Sequence, residues 1–390
     1  MKEIVIASAV RTALGDFGGT LKGVPAVELA QAVIENVTAT IKGRSSIGKV
    51  IFGNCFSPLE QNLARIAAYR AGIDEGVPGF TVNGTCGSSM QAVISAVQAV
   101  QCGEVDVVLA GGVESMSNAP YILETARWGQ RIRHLQGYDL LWKGMQEYPI
   151  GVGMGLTAEN LAERYNITRE EQDELAVLSH KRAARAIQEG RFKAEILPIP
   201  VKSARKESFL FDTDEHIRPD ASLEELSRLP AAFKAGGTVT AGNACGMNDA
   251  AAALLVTTRE KASQLALNPV LRVKGYRVVG VDPNIMGIGP VPAIKGALER
   301  AGLTLQDIDR FEINEAFAAQ YLACEHELGL DRDRVNPYGS GIALGHPVGA
   351  TGCRLLVTLF RSMVSEGVQF GVASLCAGGG MGFAVILENI

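Results

Sequence analysis

One order of elements occurs twice in this chain, and the repetition limits the folds open to it more than any single motif does. In the first half, Ile47-Gly48-Lys49-Val50-Ile51-Phe52 is followed further on by Val107-Val108-Leu109-Ala110-Gly111-Gly112. In the second half, Ile308-Asp309-Arg310-Phe311-Glu312-Ile313 and the segment from Ala373 to Gly379 stand in the same order and context. The match is weak letter by letter but consistent in sequence of elements. Apolar runs alternating with helical periodicity, with glycines at the junctions, predict an α/β fold of two similar halves packed together.

The expected elements of the first half are a strand over residues 4–10, cut short by Arg11, and an amphipathic helix over 27–41. A strand at 50–53, a short helix at 63–71, a helix over 86–101 and a strand at 105–110 follow. Residues 120–240 differ in character, with scattered aromatics, many loops and a charged helix over 169–189. This stretch predicts an inserted, less regular domain. Eight Lys or Arg fall between Lys181 and Lys206, which suits either a solvated helix face or a site for an anionic ligand. Order resumes with a small-residue helix over 249–256, a strand over 270–281 and a helix over 292–301. The strand 311–313, a helix over 314–328, a glycine-rich turn at 339–345, a helix over 349–364 and strands at 370–375 and 382–388 complete the second half.

With 390 residues the chain can bury more than one core. A net charge of −5 argues against a nucleic-acid partner, since phosphate contacts need a basic surface. Seven cysteines without Cys-x-x-Cys spacing suit a reducing compartment, and five histidines without paired spacing argue against a zinc site. No run approaches the roughly 20 apolar residues of a membrane span, and the N-terminus lacks a secretory pattern. The expectation is a cytoplasmic protein with no metal and no membrane partner.

Asn83-Gly84-Thr85-Cys86-Gly87-Ser88-Ser89-Met90 carries small residues from an apolar segment into a helix. Unpaired amide N–H groups and the positive helix end there favour thiolate over thiol, so Cys86 is a candidate nucleophile. Cys376 ends an apolar strand and opens Cys376-Ala377-Gly378-Gly379-Gly380, where backbone amides can approach a ligand closely. Cys55, Cys102, Cys324 and Cys353 suit small buried hydrophobes. A catalytic cysteine needs a base or cation, and His346 in Gly345-His346-Pro347 is the histidine best placed on a functional turn. Asn314, at the start of Asn314-Glu315-Ala316-Phe317, suits either an N-cap or a holder of a water or carbonyl oxygen.

Together these stretches, with Gly111-Gly112-Val113-Glu114-Ser115-Met116-Ser117 and Thr240-Ala241-Gly242-Asn243, resemble the thiolase family over essentially the whole chain. The resemblance implies duplicated α/β halves in a layered αβαβα core: residues 1–118 completed by 248–268, an inserted CoA-binding loop domain at 119–247, and a C-terminal half at 269–390. It implies reversible cleavage of 3-ketoacyl-CoA, or condensation of acetyl-CoA, through an acyl-cysteine. In the family's pattern Cys86 is acylated, His346 activates it, and Cys376 moves the α-proton. One oxyanion hole uses His346 with a water on Asn314; the other uses the N–H groups of Cys86 and Gly378. CoA is implied as substrate with no separate cofactor, near Arg218 at the adenine, Phe233 and Met154 along the pantetheine, and Ala241 at its amides. Ala316 and Phe317 are expected at the acyl end, and a homodimer or homotetramer is the family habit.

Three departures stand out against that pattern. Gly153-Met154-Gly155 replaces a histidine-containing segment, Cys245 stands where many relatives have Ser, and Ser89 replaces a commoner glycine. They leave chain-length preference open. Two rival activities are a decarboxylating condensing enzyme of the ketoacyl-synthase type and a non-catalytic CoA-binding subunit. Cys376 with Asn314 argues against the first, and Cys86 with His346 against the second.

Overall fold

The computed structural model describes residues 2–39, 41, 46–129, 132, 134–202 and 207–390. Nine strands form the continuous path of an eleven-stranded sheet: β1 (Ile4–Thr12), β2 (Lys49–Gly53), β3 (Gly79–Val82), β4 (Val107–Ser115), β5 (Asn248–Thr258), β6 (Val270–Gly280), β7 (Arg310–Ile313), β8 (Phe370–Ala377) and β9 (Met381–Asn389), and two short strands, Gly15–Asp16 and Ile196–Leu197, pair with β5 and β1. Their spatial order is β7-β8-β9-β6-β1-β5-β4-β2-β3. On one side β2 runs parallel to β4, β4 antiparallel to β5, and β5 antiparallel to β1. On the other, β7 runs parallel to β8, β8 antiparallel to β9, and β9 antiparallel to β6. The same sequence of pairings therefore occurs twice, and antiparallel contact of β1 with β6 joins the halves. The two-half α/β expectation holds.

The cores show five layers. Helices α1 (Ala26–Ala39) and α2 (Leu63–Arg70) cover the outer face of the first half, where Val33 and Leu63 meet Val5, Phe52 and Leu109. Helices α3 (Ser88–Gln101) and α8 (Thr351–Glu366) form the middle layer; Val93 and Leu356 meet Ile6, Val108 and Leu254 of one half and Leu375 and Val385 of the other. Helices α6 (Pro290–Ala301) and α7 (Ala318–Leu328) cover the far face with Ile294 and Leu322 against Val372 and Ile386. Strand alternation explains the division, since successive residues such as Leu254 and Leu255 bury on opposite faces. Helices α4 (Met154–Tyr165) and α5 (Arg169–Gln188) belong to the inserted stretch and pack on the α7 side.

Four sequence expectations are corrected. Residues 249–256, expected as a helix, form the centre of β5. Their alanine-rich run looks helical, but a strand flanked by β1 and β4 and buried on both faces needs small residues, and its backbone groups pair laterally. Arg11 does not end β1; it is fully buried within it, with Nε 2.6 Å from Glu195 and Nη1 2.7 Å from Asp214. The strand expected to stop at residue 110 continues through two glycines to Ser115. Helix α7 begins at Ala318, so Asn314 is not its N-cap; that position is held by Phe317. The expected helix over 27–41 is observed over Ala26–Ala39, and residue 40 lies outside the described residues. Residues 203–206 of the basic stretch also lie outside them.

Candidate active site

Strand β3 delivers the chain to Cys86 through a tight turn. Thr85 takes a left-handed conformation (φ 53°), and its N–H donates to Asn83 Oδ1 at 3.1 Å. The Ser88 hydroxyl accepts from the Gly84 N–H at 2.9 Å and donates to the Thr85 carbonyl at 2.6 Å, closing the loop around the cysteine. Gly87 admits no side chain, because a Cβ there would lie 2.2 Å from the Phe383 ring. Helix α3 starts at Ser88 rather than at Cys86. The expectation that Cys86 is poised as thiolate is corrected: burial pushes its thiol up to about 11, although the N–H groups of Gly378 and of Cys86 itself point at the sulfur and work the other way. At neutral pH the thiol keeps its proton, and a base must remove it.

Cys86 lines a cavity of about 240 Å³ with Cys55, Phe56, Met145, Tyr148, Met154, Val348 and Gly378. Gly378 is tied to the turn by the Thr85 hydroxyl, 3.2 Å from its carbonyl. Cys376, at the end of β8, is fully buried; burial holds its thiol well above the ordinary range, with the Cys86, Cys324 and Cys245 sulfurs adding to that. Two thiols and two inward amides thus converge.

His346 follows a short helix (Gly341–Leu344) and Gly345, whose φ of 107° turns the chain into the site. Its Nδ1 lies 2.7 Å from Thr351 Oγ1, and the Thr351 hydroxyl donates to the Pro347 carbonyl at 3.0 Å. With that hydrogen committed, Thr351 accepts from Nδ1–H, which assigns the tautomer and leaves the Nε2 lone pair free. Burial, then the charge of Arg354, lowers the imidazole pKa to about 3, so it is neutral at physiological pH. Asn314 Nδ2 stands 3.5 Å from that same Nδ1, longer than an ordinary hydrogen bond, so the Thr351 contact at 2.7 Å sets the tautomer, and the buried Asn314 Oδ1 has no partner among the described residues.

The expected CoA residues fall into two groups. Arg218 and Ala241 line a second cavity of about 370 Å³ with His180, His216 and Ala244. Met154 lines the Cys86 cavity instead. Phe233 packs edge-on to Phe317, ring centroids 5.9 Å apart, and lies over Gly155, where a Cβ would come within 2.1 Å of it. Cys245 sits between the groups: its N–H donates to the Ala316 carbonyl at 3.0 Å, and burial raises its thiol to about 12 with the Cys86 sulfur contributing. Ala316 and Phe317 are buried beside it.

Sequence inspection gave no role to Glu114, Asn248 or Thr351. Glu114 is fully buried and accepts from Asn54 Nδ2 and the N–H groups of Cys55, Phe56 and Gly349, all at 2.9–3.0 Å. It thereby fastens the Cys55 loop to the segment after His346. Burial raises it to about 7 despite these donors. The signal was available, since an acid inside an apolar strand is costly unless it is held by hydrogen bonds.

Two buried thiols, amides aimed at one of them and a neutral imidazole suit cysteine-dependent acyl transfer. Family models for the thiolase N-terminal and C-terminal domains match residues 4–260 and 267–389. The chain is 48% identical over 394 residues to an acetyl-CoA acetyltransferase of Escherichia coli K12 and 46% identical over 393 residues to the beta-ketothiolase BktB of Cupriavidus necator, covering 100% of each chain in both cases. A crystal structure of the Bacillus anthracis acetyl-CoA acetyltransferase superposes with a TM-score of 0.97 at 48% identity, covering 100% of this chain and 99% of that one. Human mitochondrial 3-ketoacyl-CoA thiolase in complex with CoA gives 0.95 at 40% identity, covering 100% and 98%. The chain belongs to the thiolase family and is a CoA-dependent acyltransferase.

Proposed function

We propose that the enzyme cleaves short 3-ketoacyl-CoA such as acetoacetyl-CoA, and condenses acetyl-CoA in reverse, with Cys86 acylated and Cys376 shuttling the α-proton. The observation that carries this reading is the pair of thiols, Cys86 and Cys376, beside the inward amides of Cys86 and Gly378. His346 Nε2 takes the Cys86 proton as the sulfur attacks the 3-keto carbon. Ionising a thiol held near 11 at pH 7 costs on the order of 5 kcal/mol, so proton removal accompanies attack. The developing oxyanion faces fixed donors, each worth roughly 3–4 kcal/mol. The carbon–carbon bond then breaks toward an enolate of acetyl-CoA, and Cys376 gives its thiol proton to that carbon. Acetyl-CoA then leaves, and an incoming CoA thiol attacks the acyl-cysteine, losing its proton to the Cys376 thiolate while protonated His346 returns a proton to the Cys86 sulfur as its thioester bond breaks.

In this reading, residues 119–247 carry most of the CoA site, with Arg218 near the nucleotide end and Met154 near the reacting thioester. The free thiols among the described residues suit a reducing cytoplasm. No helix among the described residues is long and apolar enough to cross a membrane. The exposed edge of β3 supports a homodimer or homotetramer.

The test mixes purified protein with acetoacetyl-CoA and CoA, and separately with a malonyl thioester, across a chain-length series. Thiolysis fastest with short 3-ketoacyl-CoA, together with an acetyl mass shift on Cys86, is expected. Turnover confined to the malonyl substrate would sink the proposal.

A further inference from the structure

The backbone of His346 is held from the far side by a hydrogen-bonded chain that begins at the second cavity. His216, which lines that cavity, donates from Nδ1 to Asp16 Oδ1 at 2.5 Å. The same carboxylate oxygen accepts from Asn248 Nδ2 at 3.2 Å, and this amide nitrogen also donates to the Gly15 carbonyl at 3.1 Å. Asn248 Oδ1 accepts the His346 N–H at 3.0 Å. The amide orientation has no freedom: one end faces a donor and the other faces two acceptors.

The packing around this chain is equally committed. Asn248 is fully buried at the start of β5. A Cβ on Gly345 would come within 2.3 Å of the Asn248 amide, and a Cβ on Gly246 within 2.6 Å of the His216 ring. Two glycines therefore clear space for the amide and the imidazole to reach their partners. His216 in turn stands 6.3 Å, centroid to centroid, from His180, whose Nδ1 accepts the Arg218 N–H at 3.2 Å. Three hydrogen bonds thus run from His216 on the wall of the Arg218 cavity to the backbone of the base.

We propose that Asn248 is a positioning residue for His346, and that His216–Asp16–Asn248 couples occupancy of the Arg218 cavity by the nucleotide end of CoA to placement of the catalytic imidazole. This rests on the thiolase reading of His346 and of that cavity. The physical reason is that a base misplaced by a fraction of an ångström loses rate without losing substrate affinity. A CoA thioester would then gain kcat from contacts remote from its reacting carbon, beyond any gain in binding.

The full-length protein provides the test, with acetoacetyl-CoA and its truncated analogue acetoacetyl-N-acetylcysteamine as substrates. Asn248→Ala is expected to lower kcat for acetoacetyl-CoA about tenfold or more while KM stays within about threefold. Asp16→Ala cuts the chain at a half-exposed residue, so it keeps the inference testable if the buried variant does not fold. It is expected to lower kcat for the CoA substrate about threefold more than for the truncated substrate. Asn248→Asp brings a second carboxylate against Asp16, and adding Asp16→Asn to it is expected to restore about threefold of the lost kcat. An Asn248→Ala kcat within about twofold of the parent, equal slowing of both substrates by Asp16→Ala, or no recovery in the double variant would each overturn the inference. Parent protein that fails to turn over acetoacetyl-CoA, or to take an acetyl group on Cys86, would instead overturn the thiolase reading itself.

Discussion

Thr351 Oγ1 lies 2.7 Å from His346 Nδ1 and commits its own hydrogen to the Pro347 carbonyl, so a threonine one helical turn away decides which imidazole nitrogen can act as base. Thr351→Val keeps the shape and removes the acceptor. The expected result is a kcat about tenfold lower with KM nearly unchanged, at a stability cost of about 1 kcal/mol. Thr351→Ser should retain both. Steady-state kinetics with thermal melts checks the pair; equal loss in the two variants would contradict the tautomer assignment.

Cys376→Ala should still be acylated on Cys86 by acetyl-CoA and should lose overall thiolysis by at least about 100-fold, the scale of a positioned acid–base group. Loss of solvent deuterium wash-in at the acetyl-CoA α-carbon is the matching readout. Exchange that survives in the variant contradicts the proton-shuttle role.

The two halves, most strand positions and both thiols were legible because glycine-rich junctions and periodicity are local signals. Residues 249–256 were not, since an alanine run looks the same whether a helix or two flanking strands satisfy its backbone. Arg11 misled for a related reason: its partners Glu195 and Asp214 lie about two hundred residues away in sequence and only the fold brings them together. At the site, the sequence placed Cys86 at a helix start but could not show that burial outweighs the local amides. The Asn248 and Glu114 contacts span 98 and 235 residues to the His346 loop, so local pattern could single out Glu114 as an acid in an apolar strand but not the partners that hold it.

Glu114 offers a pH-dependent test of how the site is held. Its folded pKa, about 7, lies above the ordinary carboxyl value because it is buried. A raised pKa means that the folded state binds its proton more tightly than the unfolded chain does. The resulting stabilisation is complete below about pH 4.5 and is lost as pH rises through about 7. Glu114→Gln cannot titrate and turns an amide nitrogen toward two donors, at a cost on the order of 3 kcal/mol. Chemical denaturation of both proteins from pH 4.5 to 8 should show the parent's advantage shrinking as pH rises. A widening gap would mean that the four donors, rather than burial, set the carboxyl's behaviour.

Among the described residues, strand β3 pairs with β2 on one side only, and it leaves Phe80 41% exposed shortly before the Cys86 turn. An unpaired apolar edge of this kind is stable in solution when another chain covers it. Phe80→Lys places a charge on that edge without touching a core residue. Sedimentation should show the parent as a dimer or tetramer and the variant shifted toward monomer. Because β3 leads directly through Asn83 into the Cys86 turn, the monomer should also lose thiolysis activity in proportion to its population. A variant that stays oligomeric with full activity would show that β3 is covered by no second copy.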